Sequence, residues 1–192
     1  MCCRYYFDPE LDEYIAGKYE LPVDAVGTGV KRDIHPSDKS LVILRKEGKT
    51  ACESMKWGMT SPKGSLVINA RRESLFEKNM FRENIISKRC VIPASGFYEW
   101  DRHKNRYSFY TDGPLFMAGL YTDYTFPSFA VITTDANLSI ADVHDRMPFI
   151  LSEEEIEPWI NDVKSIEAIL SKLQPELKRY APVRQSSLLD EL

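Results

Sequence analysis

The sequence begins Met1-Cys2-Cys3-Arg4, and a cysteine in second place has chemistry open to it that no internal cysteine has. An initiator methionine is expected to be removed where residue 2 is small, which leaves Cys2 with a free α-amine beside its thiol. An α-amine titrates at about 7.7–8.0 and a thiol at about 8.5, so near neutral pH part of the amine is uncharged and some thiolate is present. A 1,2-aminothiol of this kind meets an aldehyde in two steps. The nitrogen condenses to an iminium with loss of water, and the sulfur then closes a five-membered thiazolidine. Closure is favoured because the second nucleophile is already tethered.

Loss of water from the carbinolamine needs a proton donor and acceptor close to the amine. Glu99 and His144 are the candidates. Glu99 lies in the apolar run Pro93-Ala94-Ser95-Gly96-Phe97-Tyr98-Glu99-Trp100. Turned inward, its carboxyl would be desolvated and its pKa raised; turned outward, it is an ordinary carboxylate at a sheet edge. His144 sits in Asp142-Val143-His144-Asp145-Arg146-Met147-Pro148, a polar stretch in which Pro148 forces Met147 to be extended. Such a loop presents its side chains, although a structural histidine satisfied by Asp145 or by backbone fits the same spacing. Asn69 ends the apolar run Val67-Ile68-Asn69. It either hydrogen-bonds the N-terminal amine or N-caps a following helix.

Elements far apart in sequence have to bring these residues together. Apolar alternation predicts strands over Arg4–Phe7, Leu41–Leu44, Leu66–Asn69, Cys90–Trp100, Tyr107–Thr111, Leu115–Tyr121 and Phe129–Thr133. The polar run Asp101–Arg106 reads as a hairpin connection. Helices are predicted over Glu10–Tyr19, announced by Asp8 and Pro9, and over Arg72–Met80. Near the end, Ser152 and Glu155 form a capping box, and Val163, Ile166, Ile169, Leu170 and Leu173 keep helical spacing until Pro175. Pro158 should kink or split that segment. Strands first and helices last give an α+β fold, with a mostly antiparallel, curved or barrel-like sheet flanked by helices and a helical C-terminal part.

The chain has 192 residues, 43% of them hydrophobic, enough for one sizeable core, and a single domain over 1–192 is expected. Asp8, Glu10, Asp12 and Glu13 break the first twenty residues, and no window approaches the roughly 18 apolar residues of a membrane span. A soluble cytoplasmic protein is expected, nucleoid-associated if bacterial, with no membrane partner. Four cysteines and three histidines without a C-x-x-C pair point to free thiols, no metal site and no cofactor. The net charge of −4 argues against binding nucleic acid by bulk electrostatics. Between Ala51 and Arg106, however, 11 basic residues face 6 acidic ones. That local excess is either a binding patch or a fluctuation in a solvated surface.

Taken in order, Met1-Cys2-Cys3-Arg4, Trp57-Gly58, Ile68-Asn69-Ala70-Arg71, Gly96-Phe97-Tyr98-Glu99-Trp100 and His144-Asp145-Arg146-Met147-Pro148 resemble the SRAP (SOS-response-associated peptidase) family over nearly the whole chain. The resemblance implies a protein of the DNA damage response that shields abasic sites in single-stranded DNA, through a thiazolidine crosslink between Cys2 and the opened sugar's aldehyde. Met1 removal by the protein itself and self-reversal of the crosslink are part of what it implies. Cys2 is then the nucleophile, Asn69 positions its amine, Glu99 handles proton transfers, and His144 assists ring opening and reversal. Arg4 and Arg71 match residues that hold DNA phosphate, and Trp57, Arg72 and Arg146 are further candidate DNA contacts. Replication-fork proteins are possible partners, and a monomer is expected.

Three departures from the family pattern stand out. Cys3 replaces a glycine, Asp33-Ile34-His35-Pro36 replaces an Asn-x-Ala-Pro segment, and Met59–Lys63 supplies no aromatic after Trp57-Gly58. The stacking platform is thereby reduced to Trp57, unless Trp57 belongs to the core. Two other functions fit the same residues. One is a cysteine hydrolase with Cys2, His144 and Glu99; the other is a non-catalytic reader of single-stranded or modified DNA through Arg4, Trp57, Arg71 and Arg72.

Overall fold

The computed structural model describes residues 2–22, 30–124 and 126–181. In chain order the first part forms β1 (Tyr5–Phe7), α1 (Pro9–Lys18), β2 (Arg32–Ile34), β3 (Lys39–Lys46), β4 (Lys49–Trp57), β5 (Met59–Thr60), β6 (Leu66–Val67) and β7 (Asn69–Arg71). The middle forms α2 (Asn79–Ser87), β8 (Arg89–Ala94), β9 (Gly96–Trp100), β10 (Arg106–Tyr110), β11 (Leu115–Thr122) and β12 (Ser128–Asp135). Last come β13 (Arg146–Pro148), β14 (Ile150–Leu151), α3 (Ile156–Asn161), α4 (Ile166–Ser171) and β15 (Lys178–Tyr180).

The larger sheet curls into a barrel because its pairing path returns to its start. β12 lies parallel to the end of β4, β4 pairs β3, β3 pairs β8, β8 pairs β11, and β11 pairs β12 again. β7 takes over from β4 along the same side of β12, with Val131 opposite Asn69 and Thr133 opposite Arg71. β8 and most of β11 are buried, which is why they read as nearly continuous apolar runs. A smaller sheet, in the order β15-β10-β9-β1-β2, stands beside it.

The predicted strand Cys90–Trp100 is two strands, since the chain leaves the barrel at Ser95 and enters the smaller sheet. The Ser95 N–H donates to the Tyr6 carbonyl at 2.8 Å, and its Oγ accepts the Asp8 N–H at 2.8 Å. A side chain at Gly96 would put its Cβ 2.5 Å from the Phe109 carbonyl oxygen and 2.5 Å from the Tyr6 hydroxyl. Only glycine permits β1, β9 and β10 to approach this closely.

Three helical expectations are corrected. Arg72–Met80 is a 3-10 turn over Arg72–Ser74, and the helix comes later, as α2. Lys78 is extended at the junction, and the stripe that packs is Phe81 with Ile85, one turn apart, while Phe76 is 43% exposed. The capping box of Ser152 and Glu155 is present, but Pro158 sits in the first turn of α3, where its missing N–H costs nothing. The break falls at Asp162, whose carboxylate accepts the Lys164 N–H and the Ser165 hydroxyl. Such local bonds compete with helix continuation, so α3 ends at Asn161; α4 stops at Ser171, short of Pro175, and Leu173 is exposed.

Buried Arg89 donates to the Ile85 carbonyl at 2.8 Å and the Ile160 carbonyl at 3.2 Å, tying the last turns of α2 and α3 together. It therefore leaves the basic surface to which its sequence position assigned it. Among the described residues no helix is long and apolar enough to cross a membrane.

Candidate active site at the start of the chain

β1 is inserted between β2 and β9, with Tyr5 opposite Phe97 and Tyr6 opposite Gly96. The Tyr98 N–H reaches back to the Arg4 carbonyl at 2.9 Å. This register carries Cys2 and Cys3 towards Glu99. Cys2 has no exposed surface, and Asn69 Nδ2 donates to its carbonyl oxygen at 2.8 Å. Asn69 thus touches Cys2 through the carbonyl and not through the nitrogen. It caps no helix, because the turn that follows is preceded by Arg71 and has no side-chain cap. The Asn69 Oδ1 is buried without a hydrogen-bond partner among the described residues. Met1, whose removal the expected aminothiol chemistry would need, lies outside the described residues.

Glu99 is 2% exposed, and burial pushes its carboxyl up to about 7, with the Asp145 carboxylate adding to the rise. Near neutral pH it can both give and take a proton. Burial, reinforced by Glu99, holds the Cys2 thiol well above its ordinary range, and the same two causes raise Cys3. Half-buried His144 is pushed down by burial against the opposing pull of Asp145. Its Nδ1 accepts the Arg146 N–H at 2.9 Å, so the neutral ring carries its proton on Nε2. Asp145 Oδ1 lies 3.0 Å from the same Nδ1 and becomes its partner on protonation.

The candidate DNA contacts separate into two groups. Arg71 is exposed on β7. Arg4, about a quarter exposed, forms an ion pair with Asp33 and stands over the Tyr98 ring at 5.4 Å, while the Tyr98 hydroxyl donates to Asp33 at 3.3 Å. Arg72 donates to the Leu170 carbonyl at 3.1 Å. Trp57 and Arg146, by contrast, are corrected to structural positions. Trp57 is fully buried between Tyr5 and Phe129, with ring centroids at 4.9 and 6.4 Å, and its Nε1 donates to the Ile68 carbonyl at 3.0 Å. Neither face of the indole is open to a base. Arg146 is 7% exposed and donates to the Glu73 carboxylate at 3.2 and 2.9 Å, the Thr133 carbonyl at 2.8 Å and Asp135. It braces the His144 loop against β12 and the turn after β7.

Two residues escaped the sequence reading. Thr133 is buried beside Arg71, with an Oγ1 that has no partner among the described residues; an inward threonine in an apolar run is the signal that could have found it. Asp145 was read only as a neighbour of His144, yet it also acts on Glu99. Among the described residues no group of three His, Cys, Asp or Glu side chains is placed to hold a metal ion.

With the barrel and the surroundings of the chain start described, comparison with known proteins gives the family. The chain belongs to the SOS response associated peptidase (SRAP) family, whose model matches residues 1–186. It is 35% identical over 147 residues to "Abasic site processing protein YoqW" of Bacillus subtilis, covering 67% of this chain and 66% of that protein. The match is 27% over 178 residues to "Abasic site processing protein YedK" of Escherichia coli, covering 83% and 79%. The chain thus spans just under two thirds of the length of YoqW. A solved protein of Bacteroides thetaiotaomicron shares the fold at a TM-score of 0.78 and 23% identity, over 95% of this chain and 93% of that one. A phage-related protein of Bordetella bronchiseptica does so at 0.77 and 28%, over 96% and 95%.

Proposed function

We propose that this chain captures abasic sites in single-stranded DNA through Cys2, once Met1 has been lost, and that the product is a thiazolidine. The Cys2 amine adds to the aldehyde of the opened sugar, and the carbinolamine loses water to give an iminium. The thiol sulfur then attacks the iminium carbon, and its proton passes to a nearby base. Aldehyde and aminothiol give thiazolidine and one water. Glu99, poised near neutrality, protonates the departing hydroxyl and takes up the thiol proton. His144 serves sugar-ring opening and the reverse reaction, and removal of Met1 is the protein's own peptidase activity.

The observation that carries the reading is the seat of Cys2: a fully buried residue held by Asn69 and facing a buried carboxyl. The names of the relatives, abasic site processing proteins, support the substrate. A thiol held protonated suits nitrogen-first capture and ill suits a cysteine hydrolase, which needs a thiolate. Intact mass after incubation with an abasic-site oligonucleotide tests the proposal. Loss of Met1 and addition of the oligonucleotide less one water are expected, and Cys2→Ala should form no adduct. Normal adduct formation by Cys2→Ala would overturn the mechanism.

A further inference from the structure

We infer that the outer face of the smaller sheet is a phosphate track for the single strand flanking the Cys2 site. The inference rests on the reading of that site and deepens it by naming where the rest of the strand lies. Along β9 successive side chains turn to opposite faces. Glu99 points towards Cys2, so Tyr98 points to the other side and lines a groove of about 450 Å³ there.

Tyr6 of β1 lies next to Tyr98 in that groove, with ring centroids 5.0 Å apart. Each ring carries a cation. Lys31 Nζ stands 3.7 Å from the Tyr6 centroid, and the Arg106 guanidinium stands 4.8 Å from that of Tyr98. Arg4 shares the Tyr98 ring at 5.4 Å, and it lies two residues from Cys2. The three cations therefore gather over two adjoining rings, two on Tyr98 and one on Tyr6, and one of them, Arg4, is two residues from Cys2. Ser108 and Tyr110 add hydroxyls, with Ser108 Oγ 3.1 Å from the Tyr6 hydroxyl.

A ring under a guanidinium or ammonium fixes where the cation sits while leaving its N–H edge free to bond outward. Arg4 has Asp33 and Lys31 has Asp8 at 3.7 Å, whereas among the described residues no carboxylate pairs with Arg106. The described lining of the groove contains no acidic residue. Several cations on one groove lined otherwise by neutral hydroxyls match successive negative charges on one ligand, and a phosphodiester strand continuing from the Cys2 site supplies these.

The test measures binding of unmodified oligothymidylate across a salt series for the wild type and for Lys31→Ala/Arg106→Gln, both exposed positions. Two lost phosphate contacts should make the slope of log K against log salt shallower by about 1.4, at about 0.7 per contact for single strands. The melting temperature should match the wild type, and crosslinking of an abasic oligonucleotide too short to reach the groove should be unchanged. A slope equal to the wild type's would overturn the track, whatever the change in affinity. So would tight binding of thymidine monophosphate with no gain from a longer strand, which marks a nucleotide site. If the wild type forms no abasic adduct while the slope still changes, the reading of Cys2 falls and the track stands.

Discussion

Asn69 donates from Nδ2 to the carbonyl oxygen of Cys2 at 2.8 Å, a bond between residues 67 positions apart that fixes the chain start against the barrel. Removing the donor leaves a buried acceptor unsatisfied, at about 1–3 kcal/mol. Asn69→Ala is therefore expected to slow adduct formation with abasic DNA by about tenfold or more, since 1.4 kcal/mol is a factor of ten. Single-turnover crosslinking rates check this, and a rate equal to the wild type's would remove Asn69 from the site.

Glu99 carries a pH signature. Its carboxyl titrates at about 7 in the folded chain against 4.5 for an unburied one. Between these values the native state holds a proton that the unfolded state has released, so this group's contribution to stability is full below about 4.5 and is lost as pH rises through about 7. The loss is of order 3 kcal/mol at one pKa unit per 1.36 kcal/mol. Glu99→Gln cannot ionise, so its melting temperature relative to wild type should climb across this window and level off above it. A constant difference from pH 4 to 8 would show that Glu99 is not buried as a titrating acid.

Much of the frame was legible in the sequence because apolar alternation and turn chemistry are local. The strands around Leu41, Tyr107, Leu115 and Phe129, the hairpin at Asp101–Arg106 and α1 all follow from such patterns. β4 was missed because Lys49, Thr50, Glu53, Ser54 and Lys56 interrupt its apolar residues; its place in the barrel is set by pairing with β3 along its whole length. The candidate site was legible residue by residue, but the partners were not. Nothing local distinguishes Trp57 in the core from Trp57 on the surface, or Arg146 as a brace from Arg146 as a phosphate ligand. Burial and ion pairing decide both, and these arise from contacts such as Trp57 with Tyr5 and Arg146 with Glu73, far apart in sequence.

Arg146 provides a direct check on that distinction. Arg146→Ala strands the Thr133 carbonyl and two carboxylates, and since Glu73 and Asp135 are 42% and 77% exposed, solvent recovers part of the loss. A destabilisation of about 2 kcal/mol is expected, below the 3–5 of a fully buried pair. The salt slope for oligothymidylate binding should stay at the wild-type value. A shallower slope at unchanged stability would return Arg146 to the DNA-contacting group.

Asp33 supplies the last prediction, because it holds Arg4, the cation two residues along the chain from Cys2. Arg4 can bond a phosphate fully only after giving up its ion pair with Asp33, which the Tyr98 hydroxyl helps to keep in place. Asp33→Asn keeps the size of the side chain and removes the charge. The released guanidinium gains one phosphate contact, so the salt slope for single-stranded DNA should steepen by about 0.7, with tighter binding at low salt and faster crosslinking when DNA is limiting. Affinity measured from low to high salt separates this from a packing effect, which would move affinity equally at every salt concentration. An unchanged slope would mean that Asp33 orients Arg4 without competing for its charge.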